Sequence, residues 1–294
     1  MRIFVTGASG WIGSAVTAEL IEAGHRVVGL ARSEESAAKI AALGAEVRRG
    51  HLDDLDALRA GADDSDGVVH LAYNHDFSRM ADAAQTDAAA IAAIGDALAG
   101  TGRPFFIASG VAGLPGSPAT EETAGPDFLP RMANANATLA LAERGVRSGV
   151  LRFAPTVHGE GDHGFIAVLA GIAREKGVAA YVGDGAGRWP AVHVLDAARL
   201  VRLAVEQAAP GTIVHAVAEE GVPTREIAEA IGRGLDVPAK SIPAEEAAAH
   251  FGWIGPFFGM DSHVSSELTR KNLGWTPAEQ GLIADLDAGF YAKS

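Results

Sequence analysis

At 294 residues, 48% of them hydrophobic, the chain can bury the core of one large α/β domain with a smaller attached lobe. Its formal net charge of −13 argues against nucleic acid or an anionic membrane surface as a partner. Zero cysteines exclude disulfides, thiolate metal sites and a cysteine nucleophile, and no apolar run approaches the length that spans a bilayer.

Arg2 to Thr6 reads as a short buried strand, apolar and β-branched. A structural strand this close to residue 1 leaves no room for a signal peptide, so a soluble, cytoplasmic protein is expected. Gly7, Gly10 and Gly13 follow, and an amphipathic helix opens on the last of them, with Ile12, Val16 and Leu20 on one face and Gly24 at its end. Strand, glycine turn and helix together make a phosphate site. Glycines let the backbone turn tightly and approach a pyrophosphate, and a helix N-terminus offers free N–H groups and a positive dipole end. The expected cradle is the stretch Gly7, Ser9, Gly10, Trp11, Ile12 and Gly13. Thr6-Gly7-x-x-Gly10-x-x-Gly13 resembles the TGxxGxxG signature of the extended and atypical short-chain dehydrogenase/reductase superfamily, in its NAD-dependent epimerase/dehydratase group.

The second strand, Arg26 to Ala31, ends at Ala31-Arg32-Ser33. NAD-specific relatives carry an acidic residue here that binds the ribose 2′-OH. A guanidinium and a hydroxyl instead suit a 2′-phosphate, so NADP(H) is the expected cofactor. Ser33 also reads as the N-cap of a helix reaching Leu43. A third strand, Glu46 to Arg49, leads into Gly50-His51-Leu52-Asp53-Asp54, which looks like the family's GDLxD turn with His51 replacing an aspartate. The resemblance implies an adenine contact by Leu52, or by His51 through stacking. Val68-Val69-His70-Leu71-Ala72 resembles the VxHxA strand, whose end, with Tyr73, passes beneath the cofactor ribose. His70 reads as a core histidine. The cluster Tyr73-Asn74-His75-Asp76 falls at the carboxyl end of that strand, the edge at which open parallel sheets bind ligands.

Residues 80–99 read as a long alanine-rich helix with Ile91, Ile94 and Leu98 on one face. It suits either a homodimer contact or a core-facing stripe. A fifth strand, Pro104 to Ala108, ends at Ser109-Gly110. The resemblance implies a Ser or Thr hydroxyl here that holds a substrate carbonyl beside the cofactor; Ser109 fits the first serine of the family's usual pair, and Gly110 falls at the one normally called catalytic. The family's Tyr-x-x-x-Lys pair is missing. The only tyrosines are Tyr73, Tyr181 and Tyr291, none with a lysine four residues on, and the expected positions fall near Phe128 and Met132. Arg131, Asn134 and Asn136 are the polar residues on that helix.

Gly149-Val-Leu-Arg-Phe-Ala-Pro-Thr-Val-His-Gly159 looks like the LRPxxVYGP segment, which implies backbone contacts from Pro155 and Val157 to the nicotinamide carboxamide. His158 takes the tyrosine slot. Trp189 to Ala198 resembles the xVHVxDxA element, with Asp196 expected to cap a helix over 197–207 and His193 expected to be structural. Thr224 starts a helix through Gly232, and the aromatic run Phe251 to Met260 suits an apolar cleft or the core of the lobe. Leu273-Gly-Trp-Thr-Pro277 matches a further C-terminal segment of the family.

The fold expected is α/β: a Rossmann-type doubly wound parallel sheet of about seven strands with a smaller C-terminal substrate lobe. Residues 1–160 form the dinucleotide-binding core and 161–294 mainly the lobe, with about 178–215 returning to the core. The function expected is NADP(H)-dependent hydride transfer to a carbonyl, or a related C=X bond, of a small organic substrate. The catalytic candidates are Ser109 with Tyr73, His75 or His158, and His163 or ordered water as further proton sources. No metal is required. The missing pair supports a non-catalytic NADP-binding redox sensor as the alternative, and a nucleotide-sugar epimerase or dehydratase is a third reading.

Overall fold

The structure is a computed structural model that describes residues 1–74, 79–126 and 128–292. The chain opens with five strand-and-helix alternations: β1 (Arg2–Thr6), α1 (Trp11–Glu22), β2 (Arg26–Ala31), α2 (Glu34–Ala42), β3 (Glu46–Arg49), α3 (Leu55–Asp63), β4 (Gly67–His70), α4 (Met80–Leu98), β5 (Pro104–Gly110) and α5 (Pro130–Ala140). It continues through β6 (Arg147–Phe153), β7 (Thr156–His158), α6 (Phe165–Lys176), β8 (Ala179–Val182), β9 (Arg188–His193), α7 (Val194–Gln207), β10 (Thr212–Ala216), β11 (Glu219–Pro223) and α8 (Thr224–Leu235). The end of the chain holds β12 (Ala239–Ile242), α9 (Ala247–Phe251), α10 (Gly255–Phe258), α11 (Glu267–Leu273) and α12 (Leu282–Asp287). No helix among the described residues is long and apolar enough to cross a membrane.

Seven strands pair in parallel in the order β3-β2-β1-β4-β5-β6-β10. The chain winds outward from β1 to β3, then returns to place β4 on the other side of β1. Loops leaving β1 and β4 therefore diverge at their carboxyl ends and open a crevice, the general ligand position of such sheets. Central strands are buried on both faces, which explains their unbroken apolar runs: Ile3, Phe4 and Val5 are all fully buried. Val16 and Leu20 of α1 pack with α7 on one face, and Leu58, Ile94 and Leu98 of α3 and α4 cover the other. A separate apolar cluster, including Ile166, Trp189, Ile227, Phe251 and Leu282, joins α6, β9, α8, α9 and α12. Two smaller sheets, β11-β9-β7 and β12-β8, accompany it.

Several boundaries differ from the sequence reading. The fifth strand runs on through Ser109 and Gly110, because both continue the ladder opposite Arg152 and Phe153. The helix expected over 197–207 begins at Val194 with His193 as its N-cap, whose ring accepts the Leu195 N–H at 3.2 Å. Asp196 therefore caps nothing on its own helix. It lies inside the first turn and instead receives the backbone N–H groups of Ala278 at 2.8 Å and Glu279 at 3.1 Å. The aromatic run is divided: Phe251 and Phe258 are core, whereas Trp253 and Met260 are exposed at 46% and 37%.

Candidate functional site

The glycine turn is built for close approach. Gly7 has φ +72, and a Cβ there would stand 2.7 Å from the Ala72 backbone nitrogen. A Cβ on Gly13 would stand 1.9 Å from the Gly7 carbonyl oxygen. The turn therefore closes directly against the Leu71–Ala72 segment that leaves β4, as the two matched motifs require. Gly10 is the N-cap of α1. No side chain caps that end and no acidic residue occupies the first turn, so the helix presents bare N–H groups at a positive dipole end. Ser9, Trp11 and Ile12 complete this lip and are half-buried. The cradle fits a dinucleotide pyrophosphate.

Around the cradle stand the other cofactor candidates. Arg32 is exposed at the end of β2, and Ser33 accepts the Ser36 N–H at 3.1 Å as the N-cap of α2. Leu52 is half-buried, whereas His51 is exposed. On the opposite bank, the Trp11 indole N–H donates to the Val157 carbonyl at 2.7 Å, which clamps the start of α1 to the β7 segment. Pro155 is half-buried beside it. The exposed His163 ring lies edge-on to Trp11, 6.1 Å away.

Beneath the cradle runs a buried polar chain. The Thr6 hydroxyl meets His70 Nδ1 at 2.8 Å and accepts the Ala72 N–H at 3.2 Å. His70 Nε2 meets Asp87 of α4 at 3.0 Å, and Asp87 also accepts from the Asn134 side chain of α5 at 2.7 Å. His70 is thus a core histidine that ties β1, β4 and α4 together. Asn134 has a structural partner at each bond, since its amide also donates to the Ala84 carbonyl at 3.0 Å.

At the carboxyl ends of β4 and β5, Tyr73, Ser109 and Arg131 come together. Ser109 is buried, with its hydroxyl 3.9 Å from Met132 Sδ. Arg131, in the first turn of α5, has its guanidinium carbon 4.2 Å from the centre of the Tyr73 ring and Nη2 3.5 Å from the Ala108 carbonyl. Burial holds the Tyr73 phenol above its ordinary value and Asp87 adds to this, while Arg131 pulls it down. Burial likewise lowers the Arg131 guanidinium, against the opposing pull of Asp87 and Tyr73. Met132 is buried, and Phe128, 82% exposed, stands clear of the cluster. His75 lies outside the described residues.

His158 is elsewhere. It is fully buried, with Nδ1 2.5 Å from Asp285 of α12, Nε2 3.8 Å from Glu219, and its ring centre 5.4 Å from that of His193. Gln280 donates to the other Asp285 oxygen. The Asp285 and Glu219 contacts were not readable in advance, because 127 residues separate His158 from Asp285. Arg131 stood on the expected helix without an assigned partner; only its neighbours in space mark it.

Known proteins resemble the chain along most of its length. A family model described as NAD dependent epimerase/dehydratase family matches residues 3–218. An uncharacterized protein of Schizosaccharomyces pombe is 49% identical over 294 residues, covering 99% of this chain and 100% of its own. A 2'-dehydrokanamycin reductase of Streptomyces kanamyceticus is 30% identical over 267 residues, 84% of this chain and 71% of its own. In structure, the dTDP-glucose 4,6-dehydratase DesIV of Streptomyces venezuelae, solved with NAD bound, superposes with a TM-score of 0.77 at 18% identity, over 99% of this chain and 96% of that one. These matches, together with the glycine cradle and the parallel sheet, make the chain a member of the NAD dependent epimerase/dehydratase family.

Proposed function

We propose that the protein is an NADP(H)-dependent oxidoreductase that reduces a carbonyl, or a related C=X bond, of a small organic substrate. The observation that carries this reading is the convergence of Tyr73, Ser109 and Arg131 at the strand ends next to the glycine cradle. A redox sensor needs the cradle but not a hydroxyl and a phenol beside it. In this reading Gly7, Ser9, Gly10, Trp11, Ile12 and Gly13 hold the pyrophosphate, while Leu52 packs on the adenine. Arg32 and Ser33 bind the 2′-phosphate by charge-assisted hydrogen bonds. Leu71, Ala72 and Tyr73 lie under the ribose, and Pro155 and Val157 take the carboxamide. When bound, NADPH supplies the hydride.

Ser109 donates a hydrogen bond to the substrate oxygen and stabilises the charge that develops there. The proton comes from a side chain at the strand ends. Tyr73 is half-buried at the end of β4, within reach of that edge, whereas the fully buried His158 is bound to Asp285. The 2'-dehydrokanamycin reductase resemblance agrees with reduction as the direction of chemistry.

The test is a panel of carbonyl compounds assayed by loss of NADPH absorbance, with NADPH binding measured separately by calorimetry. Turnover of at least one carbonyl class, with NADPH bound more tightly than NADH, is expected. Binding without turnover across a broad panel contradicts the reading and leaves the sensor.

A further inference from the structure

Arg131 is a half-buried, largely desolvated cation. Among the described residues no carboxylate lies within ion-pair distance of it, and its Nε has no hydrogen-bond partner. The nearest acid, Asp87, is already committed, one oxygen to His70 and the other to Asn134. The contact with the Ala108 carbonyl is long at 3.5 Å. What the guanidinium does have is the face of Tyr73 at 4.2 Å. A desolvated cation costs stability unless something compensates it, and a neutral ring face supplies only part of that compensation. A phenolate in the same place would supply much more.

We propose that Tyr73 and Arg131 form the acid–cation pair of this enzyme, rebuilt from the end of β4 and the first turn of α5 in place of a tyrosine and lysine on one helix. This rests on the reductase reading above. Tyr73 is the catalytic residue, and Arg131 is a positioning residue that acts through it. As the carbonyl carbon accepts hydride and is reduced, with NADPH oxidised to NADP⁺, the Tyr73 O–H bond breaks and its proton joins the carbonyl oxygen. The electron pair stays on Tyr73 as a phenolate until water reprotonates it. Arg131 stabilises that phenolate across the ring, in a site where burial strengthens the attraction. The opposing group is Asp87 on α4, which disfavours the phenolate; on the segment after Tyr73, His75 and Asp76 are the other titratable residues.

The pair also accounts for the chemistry of the altered helix. With a guanidinium already over the Tyr73 ring, a lysine four residues after a tyrosine is no longer needed there. The phenol can come from another strand, provided that it arrives over the guanidinium.

The test uses the full-length protein labelled with ¹³C at the tyrosine ζ carbon. Three tyrosines give three signals, and Tyr73→Phe assigns the one of interest. Tyr291 is the internal control: burial and Asp162 hold its phenol far above the ordinary range, so its signal stays unshifted while the fold is intact. Titration is followed in the parent, Arg131→Met and Arg131→Lys, alone and with NADP⁺. Removing the cation should raise the Tyr73 midpoint by about one pH unit or more, and lysine should restore part of the difference. In single-turnover reduction, Tyr73→Phe should be slower by about 10²–10⁴-fold with NADPH binding nearly unchanged. Arg131→Met should be slowed less, and Arg131→Lys should recover part of the loss.

An unmoved Tyr73 midpoint in Arg131→Met, with the Tyr291 signal in place, overturns the pairing even if the enzyme turns over. Loss confined to KM for acidic substrates, with the titration unmoved, overturns it in favour of Arg131 as an anchor for a substrate anion. A parent protein that reduces no carbonyl overturns the catalytic role together with the reading on which it rests.

Discussion

The proposed preference for NADP(H) rests on a single side chain. Arg32 is exposed at the carboxyl end of β2, one residue before the Ser33 cap, with no carboxylate where an NAD-specific relative would place one. Replacing Arg32 with alanine should weaken NADPH binding by about 1.5–3 kcal/mol, the scale of hydrogen bonds to a charged group, and barely change NADH binding. Calorimetric titration with both cofactors checks this. Equal losses for the two would assign Arg32 a structural role, and no loss for either would move the 2′-phosphate contact to another residue. Ser33 is less useful as a probe. Its hydroxyl already serves the helix, so its replacement mixes a cap loss of about 0.5–2 kcal/mol with any cofactor effect.

At the scale of elements, α12 shows how the C-terminal part is attached to the core. Asp285 and Asp287 stand two residues apart on it. Asp285 is fully buried against His158 and Gln280, whereas Asp287 pairs with Arg233 at 2.8 Å, with both side chains about half exposed. Asp285→Ala leaves the buried His158 ring without its acceptor and should cost about 1–3 kcal/mol. Asp287→Ala should cost less than about 1 kcal/mol, as surface ion pairs do. Urea unfolding of the two variants side by side measures the difference, and equal losses would show that the His158–Asp285 contact does not hold the helix. The contrast also shows what a sequence can and cannot reveal. The glycine turn was legible because its constraint is local: Gly7 and Gly13 are forced by backbone atoms that any such turn would place there. The start of α7 was misread because Asp196 has the chemistry of a cap, yet its backbone partners come from residues 278 and 279. The meeting of Arg131 with Tyr73 across 58 positions was hidden for the same reason. The sequence places Tyr73 at a strand end and Arg131 on a helix, but no local signal pairs them, and they meet only in the folded chain.

For the whole molecule, the strand order organises the rest. Because β4 returns to lie beside β1, the cradle, the Tyr73 segment and the Ser109 strand end all open on one edge of the seven-stranded sheet. Trp11 closes the other bank by reaching across to Val157. A family fold can therefore lose its helix-borne tyrosine and lysine and still present a phenol, a hydroxyl and a cation at the same edge. The central claim is that this edge passes a hydride from NADPH to a carbonyl carbon. The most direct measurement is isotope tracing. The full-length protein is incubated with NADPH deuterated at the nicotinamide C4 and with a carbonyl substrate that it consumes, and the product is analysed by mass spectrometry and NMR. The account predicts one deuterium on the carbinol carbon, from one face of the nicotinamide only. Consumption of substrate with no deuterium in the product would contradict it, as would bound NADPH that is never oxidised by any carbonyl.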